Sequence, residues 1–588
     1  MSTAEARIPR LWPYLLVCAA VALCVPVGRF QRGSSADSIL MEVISLQHWT
    51  PFYWGLDRMG MLVPLLAIPF HSPLANLLYQ NAVCIFAALS AMLLLPRYLL
   101  RDGCYPLVGL VSAAAFLALA PLPFCFDFTV NTFYGVWLAA GLGALVLAED
   151  GPSGRAPMWR LLLALGLLVL AHWEYTGTAL VLGPIVVFRH LWCRQAKSRS
   201  EEGNSTPGSQ WSSAFFGIDS PLPAVPPSGT DSPTWIGHSL NWVRRVLNAE
   251  MTIAMLLLGG GMAMGLAFMH WASAVYPYGR TVVGRQPSAD WPKMWRQLAV
   301  NAWNAQAPHY WPWFLAGVLG AGFLLLAVPA VRRRGPPAWR AGAVLISGAA
   351  TYFLFMGTRR WTYLNGCNFR YSHPVIFLVQ GAIVILALAP LGAALPGRVR
   401  KCLCGLAAGC LVLAALTTYH PSLRASHAVL DEHMGSCTED ILAARCTHVA
   451  GNYWKVWPAV YHANLILHER HENRMVWGIA GRSELTRQLW EKVPLEEWRI
   501  AVPVDPGRDM DKVAIYFNLP PPDQCGSYPQ LPGQTERVLA YFQLPPLVVV
   551  EKRRTIWVLQ PQAVVDSKLQ PAALAPERAE SPKAEPWN

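Results

Sequence analysis

The chain has 588 residues, of which 54% are hydrophobic and 14% are charged, and its formal net charge is +12. Soluble domains contain about 25% charged residues, so this composition excludes an ordinary soluble protein and predicts a polytopic membrane protein. In a membrane protein the total charge matters less than the side of the membrane on which the charges lie, and no nucleic-acid partner is expected.

Apolar segments follow one another along most of the chain. A membrane-spanning helix needs about 20 predominantly apolar residues. Eleven segments near that length are present, at residues 11–28, 77–95, 105–122, 134–149, 159–175, 178–192, 251–271, 311–331, 340–357, 373–395 and 402–419. The run 59–70 is too short to span and predicts an interfacial or re-entrant piece. The predicted fold class is therefore mainly α, a helical membrane protein with about eleven spans.

The basic residues predict the orientation. If the N-terminus, with Arg7 and Arg10, is cytoplasmic, every connection expected on that side is basic, as the positive-inside rule requires. Eleven spans then leave the C-terminal part on the outer, periplasmic side of the inner membrane. The cytoplasmic loop 193–250 is rich in Ser, Pro and Gly, which predicts a flexible linker.

The chain becomes more polar after the transmembrane domain, residues 1–419. Residues 420–561 are predicted to form a small α/β domain on the outer side. Helices are expected at 452–470 and 483–493, and strands at 498–504 and 512–519, with a hairpin over 547–561. Residues 562–588, rich in Ala, Pro, Glu and Lys, are predicted to be disordered.

Arginine and lysine are normally scarce in short outer loops, yet several are present here. They are Arg29, Arg32, Arg58, Arg280, Arg285, Lys293, Arg296, Arg359, Arg360 and Arg370. Basic residues on the disfavoured side predict an anionic ligand, and a lipid phosphate suits the planar fork of arginine. The alternative is that some of them snorkel or pair with acids such as Asp290.

Acidic residues on the outer side of the membrane part are fewer. They are Asp37, Glu42, Asp57, Asp127, Glu174 and Asp290. An acid at the membrane boundary is costly unless it is paired or hydrated, so each is a functional candidate. Asp37 could instead cap the helix that follows it, Asp127 could form a cap or an Asx turn, and Asp57 could pair with Arg58.

The layout resembles the GT-C superfamily of membrane glycosyltransferases, which includes protein O-mannosyltransferases and aminoarabinose transferases. Asp37 follows the first span, Asp127 precedes the fourth, and an outer C-terminal domain follows the last. Arg370-Tyr371-Ser372-His373-Pro374 is similar to the RYxxP sequence that leads into a late span in those enzymes. The resemblance covers about residues 1–419. Ser38 stands where many relatives have a second acid after the first.

The resemblance implies sugar transfer from a polyprenyl-phosphate-linked donor to a hydroxyl of a glycan, lipid or protein in a bacterial cell envelope, with inversion. Asp37 would be the general base and Asp127 would assist it, with Asp57 as a further catalytic candidate. The donor phosphate would be bound by Arg58, Arg359, Arg360 and Arg370. Tyr53, Trp54, Trp361 and Tyr371 would line the substrate, unless they belong to an interfacial aromatic belt. Membrane lipids are further partners. No cofactor or metal site is expected, and a divalent metal is an alternative source of positive charge.

Other functions stay open. A transporter or flippase of lipid-linked sugars would share a charged outer cavity, but the chain lacks two-half symmetry and acids in mid-span. An O-antigen ligase or polymerase depends on a large outer loop between late helices, whereas this chain has its acids in early loops. A non-catalytic sugar-binding protein is a third alternative.

Overall fold

The computed structural model describes residues 10–24, 36–54, 59–100, 103–131, 133–149, 156–202, 249–276, 285–306, 329–418, 423–504 and 535–569. These residues form mostly helices, with one five-stranded sheet near the C-terminal end. The predicted fold class, a mainly α membrane protein with a small C-terminal α/β region, is confirmed.

Ten of the eleven predicted segments coincide with helices. These are Trp12–Cys24, Pro73–Leu100, Tyr105–Leu119, Tyr134–Glu149, Met158–Glu174, Thr178–Glu202, Ala249–Val275, Pro329–Met356, His373–Ala394 and Gly397–Thr418. The segment 311–331 lies largely outside the described residues, as does most of the predicted linker 193–250. The first part of that linker continues the helix Thr178–Glu202.

Further helices lie between and after these. They are Ala36–Gln47, Leu62–Ala67, Leu122–Phe126, Trp291–Gln306, Arg360–Leu364, Leu423–Ala443, Tyr453–Glu469, Arg487–Trp490, Thr535–Tyr541 and Gln562–Leu569. Leu62–Ala67 corresponds to the short run predicted at 59–70.

Five of the described helices are long and apolar enough to cross a bilayer, or six if the bent pair Phe124–Val130 and Tyr134–Glu149 is one span. The five are Pro73–Leu100, Met251–Val275, Pro336–Met356, Phe369–Ala394 and Gly397–Leu416. Large apolar side chains on these helices face outward, since Leu256 is 70% exposed and Leu406 is 64% exposed. Exposed apolar faces of this kind fit contact with lipid, as a multi-pass membrane protein requires.

The helix Pro73–Leu100 forms the centre of the bundle. Most of it is buried, and it packs against Tyr105–Leu119 and Tyr134–Glu149. The second contact requires a glycine, because a Cβ at Gly135 would lie 2.7 Å from the Cα of Ala88. Small residues allow membrane helices to approach closely in this way. The contact fixes the two helices beside the loops that carry the predicted site.

The strands of the sheet are β1 His448–Ala450, β2 Trp477–Ile479, β3 Ile500–Pro503, β4 Leu547–Lys552 and β5 Ile556–Pro561. Their order in the sheet is β2–β1–β3–β5–β4. β1 pairs in parallel with β2 and with β3, whereas β5 pairs antiparallel with β3 and with β4. The predicted strand at 498–504 and the hairpin at 547–561 are confirmed, and 512–519 lies outside the described residues.

The observed secondary structure of the C-terminal region differs from the prediction in two places. The helix predicted at 452–470 is confirmed as Tyr453–Glu469. Residues 483–493, however, form the short 3-10 turn Ser483–Thr486 and the short helix Arg487–Trp490 instead of one helix. The predicted disordered tail begins too early, because Gln562–Leu569 continues from β5 as a helix. Residues 570–588 lie outside the described part.

The C-terminal region packs directly on residues 36–54, which lie between the first and second predicted spans. The helix Tyr453–Glu469 lies against the helix Ala36–Gln47. The rings of Trp457 and Trp54 meet edge to face with centroids 5.6 Å apart, and both side chains are fully buried. Such aromatic pairs contribute about 0.5–1.5 kcal/mol beyond the burial of their area. Apolar packing therefore holds this region in place independently of its charges.

Replacing Gly135 by alanine tests the close helix contact. Gly135→Ala is expected to lower the free energy of unfolding by about 1–3 kcal/mol, because the added methyl group has no space beside Ala88. Gly166→Ala is the matched control, since nothing lies within 4 Å of a Cβ at Gly166 and alanine favours a helix by about 1 kcal/mol over glycine. Thermal unfolding in detergent measures both variants, and equal melting temperatures would contradict the contact.

Candidate active site

The carboxylate of Asp37 lies at the centre of a group of charged and phenolic side chains. We call this group the Asp37 cluster; its members are Asp37, Tyr53, Arg370, Tyr453 and Arg482. Asp37 lies in the first turn of the helix Ala36–Gln47, where unpaired backbone N–H groups and the helix dipole favour a negative charge. Its side chain is 19% exposed, so a ligand can reach it.

Two tyrosines hold the carboxylate. The Tyr453 hydroxyl donates to Asp37 Oδ1 at 2.6 Å, the length of a strong charge-assisted hydrogen bond. The Tyr53 hydroxyl lies 2.9 Å from the Asp37 carbonyl oxygen and 3.3 Å from Oδ1. The two hydroxyl oxygens are 2.8 Å apart. Because the Tyr453 proton is directed at Asp37, the Tyr453 oxygen can accept from Tyr53.

Two arginines approach different oxygens of the same carboxylate. Arg370 Nη1 lies 3.7 Å from Oδ2, and Arg482 Nη1 lies 3.6 Å from Oδ1. The Arg482 guanidinium also lies over two aromatic rings, 4.5 Å from the centroid of Tyr53 and 5.0 Å from that of Tyr453. These cation–π contacts hold the guanidinium at the edge of the site.

The loop that carries Tyr53 is fixed against the end of the fifth predicted span. The Leu62 amide donates to Glu174 Oε1 at 2.8 Å, and the Trp173 indole donates to the Pro51 carbonyl at 2.8 Å. Glu174 therefore anchors this loop through a backbone amide and belongs to the support of the site.

The topology of the sheet explains how Tyr453 and Arg482 come together. Tyr453 follows β1 by three residues and Arg482 follows β2 by three residues, and these strands are parallel neighbours. The carboxyl ends of parallel strands lie at one edge of a sheet, which is where α/β proteins place ligands. In this protein that edge faces Asp37.

Arg370 is positioned by the 3-10 turn Phe369–Ser372. The Asn368 side chain caps the turn by accepting from the Arg370 amide at 3.0 Å. The guanidinium donates at longer range to Asn365 Oδ1, at 3.4 Å, and to the Tyr371 hydroxyl, at 3.3 Å. Its side chain is 24% exposed, so part of it faces the open side of the site.

Two acids of one helix have opposite environments. Burial raises the pKa of Asp37. The positive charges of Arg482 and, more weakly, Arg370 lower it, as do the hydrogen bonds from the two tyrosines. Together these contacts outweigh burial and hold the pKa below its ordinary value. Glu42 is buried away from such partners, and burial raises its pKa to about 8. At neutral pH Asp37 is therefore ionised and Glu42 is protonated. A divergence of this kind identifies Asp37 as the base candidate of the two.

The other predicted catalytic acids differ in position. Asp127 begins the π-helical turn Asp127–Asn131 and is half-buried. It lies close enough to Arg370 for their charges to attract each other, so Arg370 is influenced by both Asp37 and Asp127. Asp57 and its neighbour Arg58 lie outside the described residues.

Two further arginines of the predicted phosphate site have other contacts. The Arg359 guanidinium lies over the ring of Phe355, 4.9 Å from its centroid, and Arg360 is exposed. Among the described residues, the ion pairs of Asp37 are with Arg370 and Arg482.

Of the four aromatic residues predicted to line the substrate, two lie at the Asp37 cluster. Tyr53 belongs to the cluster and Tyr371 is buried beside Arg370. Trp54 is fully buried against Trp457, so its ring supports packing and has no surface open to a substrate. Trp361 is half-buried.

An apolar cavity of about 510 Å³ is lined in part by Ser372, which follows Arg370 by two residues in the chain. Its lining is almost entirely apolar and includes Met92, Phe116, Trp303, Phe353, Val375 and Phe377. Such a lining suits a long hydrocarbon chain.

Tyr453 and Arg482 are absent from the sequence prediction, although a signal for them exists. Each of the two short strands leads into an Ala-Gly pair followed by polar residues, Ala450-Gly451-Asn452 and Ala480-Gly481-Arg482. Gly451 has a φ of +134°, which favours glycine. Repeated strand-to-glycine turns are typical of the ligand edge of a parallel sheet.

Within the described ranges, no group of three or more His, Cys, Asp and Glu side chains is arranged to hold a metal ion. The Asp37 cluster itself combines one carboxylate, two guanidinium groups and two phenols. Such a set can hold a phosphate and take a proton from a hydroxyl.

Comparison with known proteins gives one similar solved structure. No protein-family model matches the chain, and no curated protein is significantly similar to it. The chain is similar to ArnT from Cupriavidus metallidurans in its apo state, with 13% sequence identity, 94% of this chain and 98% of that chain covered, and a TM-score of 0.40.

The lowered pKa of Asp37 predicts how a substitution there depends on pH. Between about pH 5 and pH 7 Asp37 is ionised in the folded protein and also in the unfolded chain, where an aspartate has a pKa of about 3.9. The difference in stability between wild type and Asp37→Asn should therefore be constant across this window, since the contribution of Asp37 is lost only as the pH falls through its lowered pKa. Thermal unfolding at several pH values measures it. A difference that changes as the pH falls from 7 to 5 would show that the pKa of Asp37 is raised instead.

Proposed function

We propose that this protein is a membrane glycosyltransferase that moves a sugar from a polyprenyl-phosphate-linked donor to an acceptor hydroxyl at the outer face of the membrane. The observation that carries the proposal is the approach of Arg370 to Asp37, at 3.7 Å. These residues come from an early and a late outer loop of the membrane part. Transfer from a lipid phosphate needs a base and a phosphate-binding cation at one place.

The apolar cavity supports a lipid-linked donor. In this proposal the prenyl chain lies along the apolar lining, which includes Ser372, and the phosphate extends to Arg370, two residues earlier in the chain. A water-soluble sugar nucleotide would gain nothing from such a lining. The position of the cavity among helices suited to span a bilayer also gives the chain direct access from the membrane.

The reaction needs one displacement. The acceptor oxygen bonds to the anomeric carbon, and its proton passes to the Asp37 carboxylate. The bond between that carbon and the phosphate oxygen breaks, and its electron pair leaves with the polyprenyl phosphate. Arg370 offsets the negative charge that builds on this phosphate. Because no covalent enzyme intermediate is formed, the anomeric configuration inverts.

The remaining candidates have supporting roles in this proposal. Asp127, which attracts Arg370, would orient the acceptor or steady the arginine. The hydrogen bond from Tyr453 to Asp37, at 2.6 Å, would fix the direction of the basic oxygen. Asp57 and Arg58 stay candidates because they belong to the same outer loop as Tyr53.

The proposed orientation places the N-terminus in the cytoplasm and the C-terminal region in the periplasm. The basic residues of the inner loops support it. A cysteine introduced at the exposed Glu496 should react with an impermeant reagent added to the outer side of intact cells, in a background without other reactive cysteines. Reaction from the cytoplasmic side alone would reverse the orientation.

Removing the proposed base tests the function directly. Asp37→Asn is expected to lower sugar transfer by about 100-fold or more with the protein still folded, because general-base catalysis contributes roughly 10²–10⁴-fold. The assay uses the lipid-linked sugar fraction of the source membranes as donor and measures released polyprenyl phosphate by mass spectrometry.

Asp290→Asn is the matched control for this assay. Asp290 also lies on the predicted outer side, and its carboxylate accepts from Gln286 Nε2 at 2.7 Å, away from the Asp37 cluster. It should keep wild-type activity. Equal activity of Asp37→Asn and Asp290→Asn would remove Asp37 from the mechanism.

A further inference from the structure

Arg482 has unused binding capacity. Its Nη1 lies 3.6 Å from Asp37 Oδ1, farther than the roughly 2.7–2.9 Å of a direct charged hydrogen bond, and Tyr453 holds the near position on that oxygen at 2.6 Å. A guanidinium carries five N–H donors. Within the described part of the chain, those of Arg482 make an ion pair and two ring contacts but no hydrogen bond. Such a group is ready to bind a second anion.

The backbone of Arg482 gives an independent indication. It is left-handed, with φ +77° and ψ 6°, a region that residues other than glycine occupy rarely. Strained residues of this kind are concentrated at ligand sites. Here the left-handed residue follows the carboxyl end of β2, and its guanidinium lies over the rings of Tyr53 and Tyr453.

Resting on the proposed function, we propose that Arg482 is a second binding residue for the donor phosphate, and that phosphate binding draws both arginines from Asp37 and frees its carboxylate to act as base. The recognised chemistry is a phosphate ester held by guanidinium forks. The C-terminal region thereby forms one wall of the donor site.

The arrangement of charges favours this exchange of partners. Arg370 and Arg482 are close enough to repel each other, and they share one carboxylate, at 3.7 Å from Arg370 and 3.6 Å from Arg482. A phosphate offers more oxygens than that carboxylate and can accept from both forks. Asp37 keeps its bond from Tyr453 during the exchange, so its orientation is preserved.

The exchange also makes the basicity of Asp37 depend on whether the donor is bound. The attraction of the two arginines lowers the pKa of Asp37, and a nearby phosphate offsets that attraction with its own negative charge. Asp37 is consequently a stronger base with the donor bound than without it. Proton transfer from the acceptor is thus coupled to occupation of the donor site.

Binding of a short-chain polyprenyl phosphate to the full chain in detergent tests this role, with the polyprenol of equal length as the uncharged comparison. Arg482→Ala should weaken binding of the phosphate about 10-fold or more and leave binding of the polyprenol unchanged. Arg482→Gly should give the same loss without backbone strain. Arg487→Ala is the matched control, because Arg487 is exposed and paired with Glu491, and it should bind as wild type.

The outcomes separate this inference from the proposed function. Wild-type affinity in both Arg482 variants, together with weakened binding in Arg370→Ala, would overturn the role of Arg482 and leave the proposed function standing. Equal binding of polyprenyl phosphate and polyprenol by the wild-type protein would overturn both.

Competition between Asp37 and the phosphate for the two arginines can be tested separately, through the affinity for polyprenyl phosphate. Asp37→Asn removes the competing anion and should raise the affinity for polyprenyl phosphate several-fold. In an Arg482→Ala background the gain should be smaller, because one of the two exchanged pairs is already absent. An equal gain in both backgrounds would contradict the exchange.

Discussion

The carboxylate of Asp37, held at the edge of the membrane part, is the constraint on which the arrangement of the chain depends. A charge withdrawn from water is costly unless it is paired and hydrogen-bonded. Asp37 meets this requirement with Tyr53 from its own loop, Arg370 from the turn before the helix His373–Ala394, and Tyr453 and Arg482 from the C-terminal region. Two guanidinium groups face this single carboxylate, so the group carries an excess positive charge. One ionised group thus brings together side chains from three distant segments.

The membrane part and the C-terminal region make different contributions to this site. The helices provide the acid, the late arginine and an apolar cavity of about 510 Å³, whereas the parallel edge of the sheet provides a phenol and a second guanidinium. A phosphate that competes for the arginines would weaken the electrostatic link between the two parts. The buried contact of Trp54 with Trp457 does not depend on charge, so it can keep the C-terminal region docked while the arginines change partners. The residues that hold this interface together are therefore different from the charged residues that would bind the donor.

Sequence alone predicts much of the membrane part, because long apolar segments are unmistakable and acids between them are scarce. Asp37 and Arg370 are found in this way. Tyr453 and Arg482 are not, since strands of three residues show no alternation and the contact between Tyr453 and Asp37 joins residues 416 apart. Tyr53 and Trp54 are adjacent aromatic residues that the sequence does not distinguish. The Tyr53 side chain turns toward the Asp37 carboxylate, whereas the Trp54 side chain packs against Trp457. Which side chain of a loop faces a site is decided by tertiary contacts.

A structure of the full chain with a bound polyprenyl phosphate is the most direct measurement of how the two parts act together. The phosphate is predicted to lie between Arg370 and Arg482, with its oxygens about 3 Å from nitrogens of both guanidinium groups. Its prenyl chain should enter the apolar cavity, and Tyr453 should still donate to Asp37. A phosphate bound elsewhere, with both arginines still flanking Asp37, would contradict the assignment of this cluster as the site of sugar transfer.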